Sequence, residues 1–119
     1  MEDRTSFPVN AFVAELDGSK CRTINSFLAE LATAMKFPEY FGGNYNALWD
    51  CITDLQWLEE ENYVVVVHHS EALLADETKD ERDHLLDLFE QVRSDWRNVP
   101  NYPGEEEYRK PADFRLILR

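Results

Sequence analysis

One short stretch of the sequence combines a large aromatic side chain with a carboxylate on the outer face of a predicted helix. It covers residues 37–55 and has the sequence FPEYFGGNYNALWDCITDL, which we call the loop–helix segment. At about 100° per residue, its helical part separates into two stripes. The outward stripe consists of Asn46, Trp49, Asp50 and Thr53, at i, i+3, i+4 and i+7. The apolar stripe predicted to face a core consists of Tyr45, Leu48, Ile52 and Leu55, with Cys51 beside them.

The outward stripe has the composition of a protein-binding surface. A tryptophan flanked by amide, hydroxyl and carboxylate groups is typical of a binding hot spot. The Asp50 carboxylate would accept charge-assisted hydrogen bonds from arginine, lysine or histidine of a partner. The alternative is that Trp49 lies at the boundary between the stripes and packs beneath the preceding loop. The pattern alone leaves both interpretations open.

The loop before this helix also suits close contact with another protein. Gly42 and Gly43 permit either a close backbone approach by a partner or dihedral angles closed to other residues. Tyr40 and Phe41 precede them, and we expect one ring to point inward while the other stays available. Asn44 is a favourable N-cap for the helix that follows.

Hydrophobic periodicity and turn residues predict three strands and three helices around this segment. The predicted helices begin after the N-caps Thr23, Asn44 and Thr78, and the first two end near Phe37 and Leu55. Thr78 and Glu81 have capping-box spacing. The predicted strands are 9–16, 62–68 and 114–118. The predicted helical core residues are Ile24, Phe27, Leu28, Leu31, Met35, Leu85, Leu88, Phe89, Val92 and Trp96.

The order of these elements predicts an α/β fold, with a small three-stranded parallel sheet packed with helices. The run Val64 to Val67 suits a strand that is buried on both faces. Alternation of strands and helices favours parallel strands with right-handed crossovers. We expect one domain over residues 1–119, in which residues 98–111, with three prolines, a glycine and an acidic run, form an irregular surface excursion.

Charge and composition narrow the class of partner. With 24 acidic and 12 basic residues, the chain has a formal net charge of −12, which repels nucleic acid and anionic membranes and attracts a basic protein. No apolar run approaches the roughly 20 residues of a membrane helix. Two widely separated cysteines and an N-terminus without signal-peptide features predict a cytoplasmic protein with free thiols.

An enzyme or a metal protein is the alternative from another class. Its best support is His68 and His69, followed by Glu71, at the carboxyl end of the central predicted strand. Adjacent strand residues point to opposite faces, however, so these two imidazoles do not readily share a metal. Phosphate-loop, nucleophile-elbow and HExxH motifs are absent from the sequence. We therefore predict a non-catalytic protein without a cofactor or a metal.

The loop–helix segment resembles the signature of the barstar family of intracellular ribonuclease inhibitors. The likeness lies in Pro38-Glu39-Tyr40, Phe41 with Gly42, Asn44, and above all Ala47-Leu48-Trp49-Asp50-Cys51. The order of strands and helices is also similar, so the resemblance covers most of the chain. It implies a barstar-like fold and the function of an inhibitor, active as a monomer in a 1:1 complex.

The resemblance further implies how the inhibitor would act. The loop–helix segment would form an acidic plug in the active site of a basic extracellular-type ribonuclease, with Asp50 in the place of a substrate phosphate. Tyr40 matches an aromatic that stacks on the enzyme's catalytic histidine, and Asn44 and Trp49 match contact positions. The full predicted partner-binding set is Tyr40, Gly42, Gly43, Asn44, Asn46, Trp49, Asp50, Thr53, Glu90 and Gln91.

Departures from the family pattern indicate a different cognate enzyme. Asn46 stands where the best-known member of the family has a second interfacial acid. Aligning Phe89 with the family's phenylalanine places Gln91 at another position that is acidic in the family. A shift of one residue would put Glu90 there instead. Leu55, or Trp57 after an insertion, replaces a further aromatic. An immunity protein of the same fold that neutralises a non-ribonuclease toxin is the second hypothesis, because any nuclease site must bind phosphate.

Overall fold

Three parallel strands and three α-helices make up the fold of the computed structural model, which describes residues 7–39, 41–98 and 110–119. The strands are β1 (Ala11–Asp17), β2 (Asn62–His68) and β3 (Phe114–Leu118). The helices are α1 (Ile24–Ala34), α2 (Tyr45–Ile52) and α3 (Lys79–Arg97). Short 3-10 turns at Gly18–Lys20 and Ser70–Ala72 follow the first two strands. None of the helices described is long and apolar enough to cross a membrane.

The sheet has the order β1-β2-β3, with every neighbouring pair parallel. Ala11 lies opposite Asn62 in the first pair, and Tyr63 lies opposite Phe114 in the second. The predicted α/β class and three-stranded parallel sheet are therefore confirmed. Parallel strands require crossovers long enough to return to the same end of the sheet, and the helices supply them.

The central strand β2 is buried along its whole middle. Residues 63–67 are all at most 6% exposed, as their unbroken apolar run predicts. One face of the sheet packs against all three helices in a single core, where the Phe27 ring meets Phe89 edge-on and Phe89 packs against Phe114. The predicted helical core stripes face this core, with Ile24 and Leu88 half-buried at its margin.

The ends of two helices and one strand differ from the predicted bounds. Helix α1 stops at Ala34 rather than near Phe37, because Lys36 has a positive φ of 58° that cannot continue the helix. Helix α2 stops at Ile52, three residues early, and Leu55 turns the chain with φ 53°. Asn10, with φ 52°, precedes β1, which therefore begins two residues later than predicted.

The predicted N-caps Thr23 and Thr78 are confirmed. The Thr23 hydroxyl accepts a hydrogen bond from the Ser26 amide, and the Thr78 hydroxyl accepts one from the Glu81 amide, both at 3.1 Å. The Glu81 carboxylate meanwhile binds Tyr45 of α2. Most of the predicted excursion at residues 98–111 lies outside the described residues, which end at Asn98 and resume at Lys110.

The carboxyl ends of β1 and β2 meet at a point that only glycine fits. A Cβ atom on Gly18 would lie inside van der Waals contact with the backbone oxygen of His69 and 2.9 Å from that of His68. Both obstacles are main-chain atoms beside the sheet, so no flexible side chain can move aside.

We expect Gly18→Ala to lower the free energy of unfolding by about 2–3 kcal/mol, because the two turns must separate to admit the methyl group. Urea unfolding followed by tryptophan fluorescence measures the change. Gly42→Ala is the control, since a Cβ there would make only ordinary contacts at 3.5 and 3.6 Å. Equal unfolding midpoints for the two variants would show that the approach at Gly18 is not tight.

Candidate partner-binding site

Helix α2 begins at a well-formed cap. The Asn44 side-chain oxygen accepts a hydrogen bond from the Ala47 amide at 2.8 Å, as the sequence predicted for an N-cap. Gly43 precedes it with φ 68°, and a Cβ on it would meet open space. The left-handed backbone is thus what Gly43 supplies, whereas Gly42 adopts no such conformation. Both glycines and Asn44 are exposed.

The loop in front of α2 rests on an aromatic cluster. Phe41 is half-buried and meets Phe37 with ring centroids 5.0 Å apart, and Phe37 meets Trp57 at 6.0 Å. The Trp57 indole nitrogen donates a hydrogen bond to the Met35 carbonyl at 2.9 Å. Phe41 therefore points inward, toward this cluster. Its predicted partner-binding neighbour Tyr40 lies outside the described residues.

Both ends of α2 are tied to α3. At its start, the Tyr45 hydroxyl donates to the Glu81 carboxylate at 2.8 Å, and the Tyr45 ring meets the His84 ring edge-on at 4.7 Å. Burial, and then this carboxylate, raise the pKa of Tyr45 well above its usual value, so the hydroxyl stays a donor. At its end, the buried Trp96 indole donates to the Ile52 carbonyl at 2.9 Å.

The polar members of the predicted outward stripe lie on the surface. Asn46 and Asp50 are exposed, and neither side chain makes a hydrogen bond or an ion pair within the described chain. Thr53 is half-buried, and its hydroxyl donates to the Trp49 carbonyl at 2.6 Å. Asp50 therefore presents a carboxylate with no described intramolecular partner, whereas Thr53 serves mainly to close the end of the helix.

Trp49 combines the two roles that the sequence left open. Its indole is partly buried and packs against the core, and it also lines a groove of about 250 Å³ between α2 and α3. We call this the Trp49 groove. Its other lining residues are Gln91, Ser94, Asp95 and Asn98. The indole thus forms both a packing contact and an accessible wall beside Asp50.

The structure places Gln91, and not Glu90, beside Trp49. Glu90 is exposed and does not line the groove. The sequence analysis missed Ser94, Asp95 and Asn98, which follow Gln91 at i+3, i+4 and i+7. This is the spacing that identified the outward stripe of α2, so the signal was present. Periodicity alone, however, could not show which side of α3 meets α2.

The two histidines of the enzyme alternative lie apart from this surface. His68 Nε2 lies 2.9 Å from the Glu15 carboxylate on β1, and His69 has a positive φ of 52° in the turn after β2. Among the described residues, no group of three or more histidine, cysteine or acidic side chains is close enough to hold a metal ion.

Both cysteines are free and buried. Burial raises the pKa of the Cys21 thiol to about 11, with added repulsion from Glu30 and Asp17. Burial likewise raises the pKa of Cys51, next to Asp50 on α2, and the Asp50 and Asp54 carboxylates add to the shift. The thiolate is the reactive form, so both side chains act as small apolar groups of the core.

We expect Asn44→Ala to lower the free energy of unfolding by about 1 kcal/mol, because the Ala47 amide loses its cap. Urea unfolding measures the loss. Asn46→Ala, in the first turn of the same helix, is the matched control and should change stability by less than about 0.5 kcal/mol. A smaller loss for the Asn44 variant than for the Asn46 variant would contradict the cap.

We expect both thiols of the folded protein to react with Ellman's reagent at least about 100-fold more slowly than in the unfolded protein. Their raised pKa values keep the thiols protonated, and burial blocks the approach of the reagent. Absorbance kinetics near pH 8, with and without denaturant, measure the ratio. Single Cys→Ala variants assign each phase. Rapid reaction of either thiol under native conditions would contradict its burial.

A comparison with known protein families agrees with this geometry. Residues 11–116 match the family model described as Barstar (barnase inhibitor). The match extends from the first residue of β1 into β3 and includes the whole of α2, α3 and the groove between them. With nearly the whole chain matched, this protein belongs to the Barstar family of ribonuclease inhibitors.

Proposed function

We propose that this protein inhibits a basic ribonuclease by inserting the exposed side of α2 into the enzyme's phosphate-binding cleft. Membership of an inhibitor family supports the general function. The observation that carries the mechanism is the exposed Asp50 carboxylate, which has no partner in the described chain, beside the half-buried Trp49. No catalytic step by this chain is required.

Charge supports the proposed partner class at long and at short range. The net charge of −12 attracts a basic enzyme and accelerates encounter at low salt. At contact, a ribonuclease must neutralise phosphate with cationic side chains. Asp50 offers these groups a carboxylate in place of a phosphate, and hydrogen bonds between charged groups are the stronger kind.

The rigid attachment of α2 also supports its exposed side as the binding surface. The Asn44 cap, the Tyr45–Glu81 hydrogen bond and the Trp96–Ile52 hydrogen bond hold the backbone of α2 before any partner arrives. A preorganised surface loses little conformational entropy on binding, so more of the contact energy becomes affinity. The exposed side of α2 therefore suits tight binding despite its small area.

The Trp49 groove extends the proposed contact surface beyond α2. An indole wall next to the Gln91 amide suits the flat guanidinium of an arginine from the rim of the enzyme. With Asn46 and Gln91 both neutral, Asp95 is the acid that lines this groove. Asp95 already has an interaction within the chain, so the proposed contact charge centres on Asp50, which favours an enzyme with a matching cation.

We further propose a monomeric inhibitor that acts in the cytoplasm as a 1:1 complex and protects the cell that makes the nuclease. The buried, free thiols Cys21 and Cys51 are consistent with a reducing compartment. The proposed contact set also keeps the other predicted residues, which are Tyr40, Gly42, Gly43, Asn44, Asn46, Thr53 and Gln91. Glu90 is left out of this proposal because it does not line the groove beside Trp49.

We expect Asp50→Asn to weaken inhibition of the cognate enzyme by at least about 30-fold in Ki, equivalent to about 2 kcal/mol, because the enzyme's cations lose a charged acceptor. A panel of basic microbial ribonucleases, assayed with a fluorogenic RNA substrate and purified inhibitor, first identifies an inhibited enzyme. The variant is then compared with the unaltered protein on that enzyme.

Glu15→Gln is the matched control, because it removes the same charge from the sheet face opposite the helices. It should leave Ki within about twofold at physiological salt. If both variants weakened inhibition equally, the loss would come from the lower net charge, and a local contact at Asp50 would be contradicted. Inhibition of a basic deoxyribonuclease, with every ribonuclease on the panel unaffected, would favour the non-ribonuclease toxin instead.

A further inference from the structure

A second groove lies on the other side of α3, away from the proposed inhibitory surface. It has a volume of about 270 Å³ and lies between the C-terminal half of α3 and the segment leading into β3. Arg93 and Arg97 line it from the helix, and we call it the arginine groove. The remaining lining residues are Asn62, Pro111, Ala112, Asp113 and Phe114. At about 100° per residue, Arg93 points about 200° away from Gln91 of the Trp49 groove.

These two guanidinium groups have no ion pair or hydrogen bond in the part of the chain that the structure describes. The other described arginines all have partners. Arg22 binds the Asp76 carboxylate, Arg82 donates to two backbone carbonyls, Arg115 binds Asp113, and Arg119 lies over the Phe7 ring. Unpaired cations are unexpected in a chain with twice as many acidic as basic residues.

The position of the two arginines within α3 is itself unfavourable. They are four residues apart on one helix, a spacing at which like charges repel each other. Glu90, one turn before Arg93, forms no ion pair with it within 4.0 Å. The repulsion between Arg93 and Arg97 would be relieved by an anion that contacts both.

The wall opposite the arginines is rigid, and its polar groups are already used. The Asn62 side chain donates to the Val9 carbonyl at 2.7 Å and accepts from the Asp113 amide at 2.9 Å. The Ala112 amide donates to the Trp96 carbonyl, and the Asp113 carboxylate is paired with Arg115. The guanidinium groups are therefore the donors that this groove offers to a ligand.

We propose that the arginine groove binds a small phosphate-bearing anion. Two planar guanidinium forks match the oxygens of a phosphate, which can accept paired hydrogen bonds from both. The volume suits a group somewhat larger than inorganic phosphate. The net charge of −12 opposes a polyanion, so the ligand is a small phosphomonoester rather than a strand of nucleic acid.

The test is a titration of the full-length, ¹⁵N-labelled protein with inorganic phosphate at constant ionic strength. We expect saturable shifts of the Arg93 and Arg97 Nε–Hε signals, with one shared dissociation constant in the millimolar range. Arg93→Lys with Arg97→Lys keeps both charges but loses the forks, and it should weaken phosphate binding at least about tenfold, followed at the Ala112 and Phe114 amides. Arg22→Lys, at a paired arginine, is the control and should bind as before.

Parallel titrations with a ribonucleoside monophosphate and with a short oligoribonucleotide distinguish the sources of phosphate. Binding of the monophosphate at least as tight as that of phosphate supports a small ligand, and tighter binding of the oligoribonucleotide overturns it. If sodium chloride produced the same signal shifts, the proposed phosphate site would be overturned. Equal phosphate affinity in the double lysine variant would overturn it as well. None of these variants alters Asp50 or the Trp49 groove, so the outcome is independent of ribonuclease inhibition.

Discussion

Attachment of α2 at both ends is the constraint on which the candidate site depends. A helix of eight residues is too short to be stable alone in water, so its shape must come from tertiary contacts. The Tyr45–Glu81 hydrogen bond holds its start, and the Trp96–Ile52 hydrogen bond holds its end. Because both partners lie on α3, the two hydrogen bonds fix how α2 lies against α3 over their shared core, and with it the width of the Trp49 groove.

That core in turn depends on the sheet. Strand β2 is buried on both faces, and the helices pack against one of them, where Phe89 of α3 contacts both Phe27 of α1 and Phe114 of β3. The three helices therefore share one face, where α2 and α3 become neighbours and can present a joint surface. An inhibitor built in this way keeps its contact residues on a rigid scaffold, which limits the entropy lost when it binds.

The distribution of charge separates two sides of α3. Toward α2, the Trp49 groove contains Asp95, with Asp50 on the adjacent exposed side of α2. On the other side, Arg93 and Arg97 are available to an anion. One helix thus supports both the proposed nuclease contact and the proposed phosphate contact, and the two can be altered separately because their residues point in different directions.

The sequence by itself determined whatever depends on neighbours a few residues apart. The caps at Thr23, Asn44 and Thr78, the buried run of β2 and the family motif around Trp49 and Asp50 are all local patterns. Only the tertiary structure decided that Gln91 rather than Glu90 lies beside Trp49, and that Asp95 joins the same groove. Periodicity divides a helix into faces, but which face meets another element depends on long-range packing. The same reason explains the requirement for Gly18, since the backbone atoms that leave no room for a side chain belong to His68 and His69, about 50 residues away in the chain.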